Sequence, residues 1–326
     1  MNTIARYLTV LLCLVATACQ EHTAIDFDRV EALMDPHPDS ALALLDTLHA
    51  EPQHYTAKDR ARYYLLLTEA KDKCFLTHTT DTLIRFSAEY YEQHNDRHHY
   101  AKALYLQGRI YEDWRENEQS VACWVKALDY GKDSEDHYLL YRIACQLATM
   151  YAYHGIADRA MDLYKETLRY AVKTQDSGLI ALGHSYIGRV YGMKKDWANA
   201  SIWYEKGLAI SQKAKRKGSR HKILQEYIGI CNNYHLYEKA DSIITVLNAD
   251  PNFEKNAPYY LCVGNYYRHK KDTARAVPFL QQALTMEGNL YTKKVACKSL
   301  SYLYDSFGQP QLALHYDDLY HSYVDS

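Results

Sequence analysis

The sequence predicts an all-α protein, an α-solenoid of about eight helix-turn-helix units of roughly 40 residues each. Three observations lead there. Gly (13) and Pro (7) are scarce in 326 residues, while Leu, Ala, Glu and Lys, all good helix formers, are plentiful. Apolar residues recur at three- and four-residue spacings, the period of one helical face. And a pattern of small and aromatic residues repeats at a fixed step of forty residues.

The bulk numbers are those of an ordinary folded chain, 48 % hydrophobic and 24 % charged. A net charge of −2 gives no global field that would favour nucleic acid or a membrane surface. Tyr stands out at 32 against 6 Phe. Helices packed through Tyr would explain this, and so would a ligand-binding surface.

In MNTIARYLTVLLCLVATAC, one cation, Arg6, precedes an apolar run from Tyr7 to Val15. The run is too short for a bilayer, which needs about 20 apolar residues, but matches the apolar region of a secretory signal. Ala16-Thr17-Ala18-Cys19 resembles a bacterial lipobox, with Ala16 where Leu is usual. The resemblance implies a lipoprotein signal peptide over 1–18, Cys19 as the lipidated first residue of the mature chain, and a tether over 19–25. Ordinary cleavage near Ala18 is the plain alternative. Gln20 after the cysteine, rather than Asp, resembles outer-membrane sorting in Gram-negative lipoproteins, and leaves open whether the protein faces the periplasm or the surface. No other segment approaches membrane-span length, so the expectation is a chain tethered by lipid and otherwise soluble.

Residues 26–326 form the repeat domain. Phe27–Met34 and Ser40–His49 read as a short helical pair joined by Asp35-Pro36-His37-Pro38-Asp39, and Ala61–Lys73 with Asp81–Gln93 as the next. From there the template is regular. Gly108, Ala148, Gly188 and Ile228 lie forty apart, followed three residues on by Tyr111, Tyr151, Tyr191 and Cys231. The second helices carry Ser120, Ala160, Ala200 and Ala240, then Trp124, Tyr164, Tyr204 and Ile244, then Ala127, Thr167, Gly207 and Leu247. With a shorter step, Gly264, Tyr267, Ala276, Leu280 and Ala283 fit the same order, and Ser301, Tyr304 and Ala313 fit it less well. Within Tyr141–Asp176, Ala144, Leu147, Ala148 and Tyr151 share one helical face. His154-Gly155-Ile156-Ala157-Asp158 makes the turn, with Gly155 suited to a helix C-terminus. Small residues let the paired helices approach, and aromatics fill the wedge to the next pair.

The order small, Tyr, Ala, aromatic, small resembles the tetratricopeptide repeat. Ile187-Gly188 stands for its Leu-Gly, and Tyr191, Ala200, Tyr204 and Gly207 continue the series. His184 replaces the usual Trp, Gly207 the usual Ala, and the closing Pro is missing throughout. The usual unit is about 34 residues, so each unit here carries roughly six more. The resemblance implies a right-handed solenoid over about 57–323, and more weakly over 26–50. FDRVEALMDPHPDSALALLDTL, residues 27–48, looks like the start of tetratricopeptide-repeat lipoproteins of the Bacteroidetes type. Relatives of that type often carry a membrane span and a DNA-binding or coiled-coil tail, whose regulatory output does not transfer to this chain.

Chemistry-bearing motifs are few. GRVYGMKKDW, residues 188–197, lacks the GK[ST] and the preceding strand of a phosphate loop, and Gly188 reads as a packing position. Cys74, Cys123, Cys145, Cys231, Cys262 and Cys297 have no CxxC spacing and read as buried free thiols. His94, His98 and His99 cluster, but Asn95-Asp96-Arg97 looks like a break between hairpins. No local catalytic triad or paired carboxylate appears, so no catalytic residue, cofactor or metal is expected, and no enzyme. The basic run KAKRKGSRHK, Lys213 to Lys222, reads as a solvated junction between hairpins, with an anionic partner as the alternative.

In tetratricopeptide domains the first helices line a concave groove that binds extended peptides. Carried over by position, the resemblance implies a groove made of Tyr105, Arg109, Glu112, Arg142, Arg189, Gln225, Asn232, Asn265, Arg268 and Lys298. Such a groove is polar and partly basic, and Arg109 and Arg189 would be removable without cost to folding. The expected function is a lipid-anchored scaffold for a protein or peptide partner at the cell envelope. The alternative is a sensory or solute- or glycan-binding module. Neither implies nucleic acid.

Overall fold

The computed structural model describes residues 26–47, 55–214, 218–286 and 290–325. The signal segment 1–18, Cys19 and the tether 19–25 lie outside the described residues, as do Lys215, Arg216 and Lys217 of the basic run. Among the described residues the chain forms sixteen α-helices and no strand. In consecutive pairs they are α1 (Phe27–Met34) and α2 (Pro38–Thr47), α3 (Ala57–Lys73) and α4 (Thr82–Gln93), α5 (Arg97–Asp113) and α6 (Asn117–Gly131), α7 (His137–Tyr153) and α8 (Ala157–Thr174). They continue as α9 (Ser177–Met193) and α10 (Trp197–Ser211), α11 (Gly218–Asn233) and α12 (Tyr237–Ala249), α13 (Ala257–His269) and α14 (Thr273–Thr285), α15 (Leu290–Ser306) and α16 (Pro310–Asp325). The chain divides into two compact units, 1–123 and 124–326, with the division inside α6.

The forty-residue register is written into the helix ends. Thr56, Asp96, Asp136, Asp176 and Asn256 cap the first helices α3, α5, α7, α9 and α13, each accepting a backbone N–H with its side-chain oxygen. Such caps satisfy donors that a helix start would otherwise leave unpaired. The turns inside the hairpins show the same spacing. Phe75, Arg115, Gly155, Lys195 and His235 all have positive φ, followed at shorter steps by Lys271 and Gly308. At the first-helix end of the α7–α8 turn, Gly155 N donates to Ala152 O and Ile156 N to Tyr151 O. Lys195 and Asp196 repeat this against Gly192 and Tyr191. The left-handed residue reverses the chain and satisfies the last carbonyls of the first helix. Only two of these seven residues are glycine, and the others hold a conformation that costs an L-residue roughly 1–2 kcal/mol.

Where the two helices of a hairpin meet, side chains are excluded. A Cβ on Gly188 would lie 2.8 Å from the Tyr204 ring and 3.1 Å from Ala200 O. On Gly207 it would lie 2.7 Å from Ala181 O, and on Gly264 2.8 Å from Leu280 Cγ. Gly188 therefore serves close approach of α9 and α10, and its stretch stays helical to Met193. Ala148 and Ala160 play the same part between α7 and α8, both fully buried beside Tyr164.

The tyrosine excess is in part a core feature. Tyr63, Tyr164, Tyr204, Tyr227, Tyr259 and Tyr266 are among the largest fully buried side chains. A buried Tyr needs a partner for its hydroxyl, and the neighbouring hairpin or helix provides one. Tyr63 donates to Leu45 O at 3.3 Å, Tyr204 to Glu226 at 3.2 Å, Tyr227 to Glu205 at 3.0 Å and Tyr259 to Asn248 at 2.8 Å. Tyr204 and Tyr227 also stack across α10 and α11, their ring centres 5.2 Å apart. Thus each ring fills the wedge while its hydroxyl fixes the register of the next pair.

All six cysteines of the described chain are free, but only Cys231 and Cys297 are buried. The expectation of six buried thiols is corrected for Cys74, Cys123, Cys145 and Cys262, which are partly exposed. Cys74 illustrates why, since its Sγ reaches out to Asp39 at 3.3 Å. His94 and His99 stack on Tyr90 and Tyr91, on either side of the Asn95 break.

The glycine contacts set up a comparison. Gly188→Ala and Gly207→Ala should each destabilise by about 1–3 kcal/mol through overpacking. Gly229, in α11 with nothing within 4 Å of its Cβ direction, should gain about 0.5–1 kcal/mol as Ala. Urea midpoints of the three variants measure this, and equal midpoints for Gly188→Ala and Gly229→Ala would remove the close-approach account.

Candidate functional site

Within each unit the first helices pack on one another while the second helices stay further apart. Contacts run α1 to α3 to α5 in the first unit and α9 to α11 to α13 to α15 in the second. The first helices therefore occupy the tighter, inner side of each stack, and the residues inferred from the repeat positions belong to it.

In the first unit, Arg109 on α5 bonds through Nε to Asp72 Oδ1 on α3 at 2.9 Å and also pairs with Glu112 on its own helix. Burial alone would lower the Arg109 pKa, but Asp72 and Glu112 outweigh it and hold it above its ordinary value. Burial pushes the Glu112 carboxyl up, with Arg109 opposing. Tyr105 lies beneath them, buried.

The second unit repeats this arrangement with different partners. Arg189 Nη2 on α9 meets Glu226 Oε1 on α11 at 2.6 Å, and the two side chains keep only 25 % and 24 % exposure. Arg189 Nη1 donates to Tyr164 Oη at 3.1 Å, and its guanidinium lies 4.9 Å from the Tyr186 ring centre. Lys222 Nζ donates to Tyr186 Oη at 3.3 Å. Burial would lower the Arg189 pKa, yet Glu226 and the surrounding tyrosines raise it well above the ordinary value. Burial likewise raises the Tyr141, Tyr186 and Tyr204 hydroxyls. The Cys145 thiol is raised by burial, with Lys222 and Arg189 pulling the other way.

Neither arginine is thus a free surface cation. Removing Arg189 would strand Glu226 beside Tyr204, so the expectation that both can be deleted without cost to folding is corrected.

The remaining positions differ among themselves. Arg142 lies 5.8 Å from the Tyr138 ring centre, and exposed Lys298 lies 5.6 Å from that of Tyr320. Gln225 is buried and donates to Asn256 at 2.8 Å, tying α11 to the cap of α13. Asn232 is 2 % exposed, donates to Cys262 O at 3.2 Å, and leaves its Oδ1 without a hydrogen bond. Asn265 accepts from Arg268 Nε at 3.0 Å and from Ser299 at 2.8 Å. Asn265 thus links Arg268 to Ser299 of α15. Tyr105, Gln225 and Asn232 sit below the surface, where they support the face.

Two neighbours of this face went unread in the sequence. Glu226 and Asp72 each lie 37 residues from the arginine they neutralise. That is one period less one helical turn, the stagger between neighbouring first helices, and a search at that offset finds both. Tyr153 and Tyr291 also stack, ring centres 5.7 Å apart, joining the end of α7 to the start of α15. No pattern of local spacing points to that contact. Two open depressions of about 410 and 470 Å³ contain none of the ten inferred residues.

The ion pair gives a direct test. Glu226→Gln removes the carboxylate and should cost about 1.5–3 kcal/mol, the range for hydrogen bonds to charged groups. Arg189→Met with Glu226→Leu should recover part of that loss, because no lone charge remains. Chemical denaturation of the two variants supplies the numbers, and a double variant less stable than Glu226→Gln would argue against a coupled pair.

No family model matches the chain, and no curated protein does. Solved structures do. The apo form of the quorum sensor NprR from B. thuringiensis superposes with a TM-score of 0.68 at 16 % identity, covering 91 % of this chain and 86 % of that one. NprR in complex with its cognate peptide NprX gives 0.65 at 17 %, covering 92 % and 87 %. A Rap protein complexed with Competence and Sporulation Factor gives 0.64 at 12 %, covering 91 % and 83 %. The TPR-like repeats of a putative kinesin light chain from Podosopora anserina give 0.50 at 16 %, covering 60 % and 96 %. At these identities the likeness is one of fold, and the fold is a helical-repeat solenoid of the tetratricopeptide type.

Proposed function

We propose that this protein is a lipid-anchored scaffold of the cell envelope that binds an extended peptide segment, free or part of an envelope partner, along the inner face of its first helices. The observation that carries the reading is the polar inner face from α9 to α15, on the fold that NprR uses with its peptide NprX. An extended ligand suits a face built by repetition, since each hairpin offers one set of side chains at a regular step. The open depressions elsewhere offer no enclosed site to a small solute. The proposed role is binding, in keeping with the NprR–NprX complex of the same fold. The anchor rests on Ala16-Thr17-Ala18-Cys19 after an apolar signal.

Affinity capture of the protein from solubilised envelopes, followed by mass spectrometry of peptides and proteins retained, tests the partner. A recovered peptide should raise the unfolding free energy by about 2.7 kcal/mol at one hundred times its Kd. Saccharides or cell-wall fragments that stabilise the protein where no peptide does would move the assignment to the glycan-binding alternative. Cys19→Ala should leave the membrane fraction; processing and fractionation like wild type would remove the lipid anchor.

A further inference from the structure

Charges on the inner face follow a rule. A first-helix residue meets the next first helix at one period less one helical turn, which brings Glu226 to Arg189 and Asp72 to Arg109. Near the end of the chain the period shortens, as the left-handed turn residues His235, Lys271 and Gly308 show. The same stagger then places Tyr302 beside Arg268 and His235 beside His269, and neither is a carboxylate. Among the described residues no carboxylate pairs with Arg268. It bonds through Nε to Asn265 Oδ1 at 3.0 Å and through Nη2 to His269 Nε2 at 3.2 Å. A guanidinium carries five N–H donors, so donors on Nη1 stay uncommitted.

This cation is half-buried. Burial lowers its pKa, and only Tyr302 opposes, the reverse of Arg109 and Arg189. Burial, Arg268 and His235 all push the His269 pKa down, which favours the neutral ring that can accept from the guanidinium. Asn265, itself gripped by Ser299, fixes Arg268 in place. On α11, Asn232 Oδ1 is buried without a donor, and Tyr302 is 60 % exposed. A half-desolvated cation without a counter-charge is unfavourable, and an anion from outside would relieve this, a carboxylate being well matched to a guanidinium edge.

We propose that Arg268, near the C-terminal end of α13 and set by Asn265 and by Ser299 of α15, is the anchor for a carboxylate of the bound peptide. The peptide part rests on the function proposed above; the anion site stands on its own geometry.

Selectively labelled histidine in the full-length protein reports on the site through the His269 imidazole. N-acetylglutamate should shift the His269 signal saturably in wild type, with at least tenfold weaker binding in Arg268→Gln and partial recovery in Arg268→Lys. Thermal midpoints of Arg268→Gln should match wild type or exceed it, since Gln can still donate to Asn265. A clear drop would make Arg268 structural and overturn the proposal. So would the absence of any shift, or a shift equal in Arg268→Gln. N-acetylphosphoserine binding tenfold tighter than N-acetylglutamate would replace the carboxylate by a phosphate. Random octapeptide pools then separate the two readings. An acidic pool retained tenfold over a neutral, amidated one, and lost in Arg268→Gln, supports both. Retention that ignores charge and Arg268 overturns the anchor and keeps the peptide reading. N-acetylglutamate bound through Arg268, with no pool retained, keeps the anion site and removes the peptide.

Discussion

The structure depends on one constraint, the close approach of the two helices of each hairpin at a position that tolerates almost no side chain. At Gly188 a single added carbon would sit inside the van der Waals envelope of Tyr204. Packing at interior density leaves no slack for it. This approach lets the three-residue turns close with one left-handed residue, and it leaves a wedge between hairpins that an aromatic must fill. Repetition of the same solution, every forty residues over much of the chain, brings the first helices together on one side. The inner face is a consequence of that crossing.

Tyrosine suits this architecture better than phenylalanine. The wedge is apolar at its base, where Tyr204 and Tyr227 stack, and reaches polar groups at its end. A hydroxyl at the tip can bond to the neighbouring helix, as Tyr204 does to Glu226 and Tyr259 to Asn248. The same ring therefore contributes burial and a directional contact. Since that contact crosses between hairpins, it helps fix their stagger, and the stagger decides which charged residues meet.

Electrostatics on the inner face divides into settled and unsettled places. Arg109 and Arg189 are matched by acids across the stack and serve cohesion. Their half-buried pairs keep each unit's first helices in register, at the cost of desolvating both charges. Arg268 occupies a similar depth without such a match. Since Arg109 and Arg189 are neutralised within the stack, Arg268 is where a ligand's charge has most to offer.

Much of this was legible in the sequence because the fold is local and periodic. Gly108, Gly188, Tyr191 and Ala200 announce themselves at fixed offsets, since each hairpin solves the same packing problem with neighbours near in the chain. The caps at Thr56, Asp96, Asp136, Asp176 and Asn256 share the register and could have been read the same way. The site was less legible. Position in the repeat identified Arg109, Arg189 and Arg268 as equivalents or near neighbours on one face, but not which of them is satisfied. That depends on the stagger between hairpins and on a shortening of the period by a few residues, which exchanges an acid for Tyr302. The contact of Tyr153 with Tyr291 lies further still from any local pattern, because it depends on how several hairpins accumulate their rotation. The sequence by itself determined the hairpins, their turns and their inner residues, all of which follow from interactions between chain neighbours. Only the tertiary structure decided the pairing of charges, because that pairing turns on a displacement of a single helical turn between elements nearly forty residues apart.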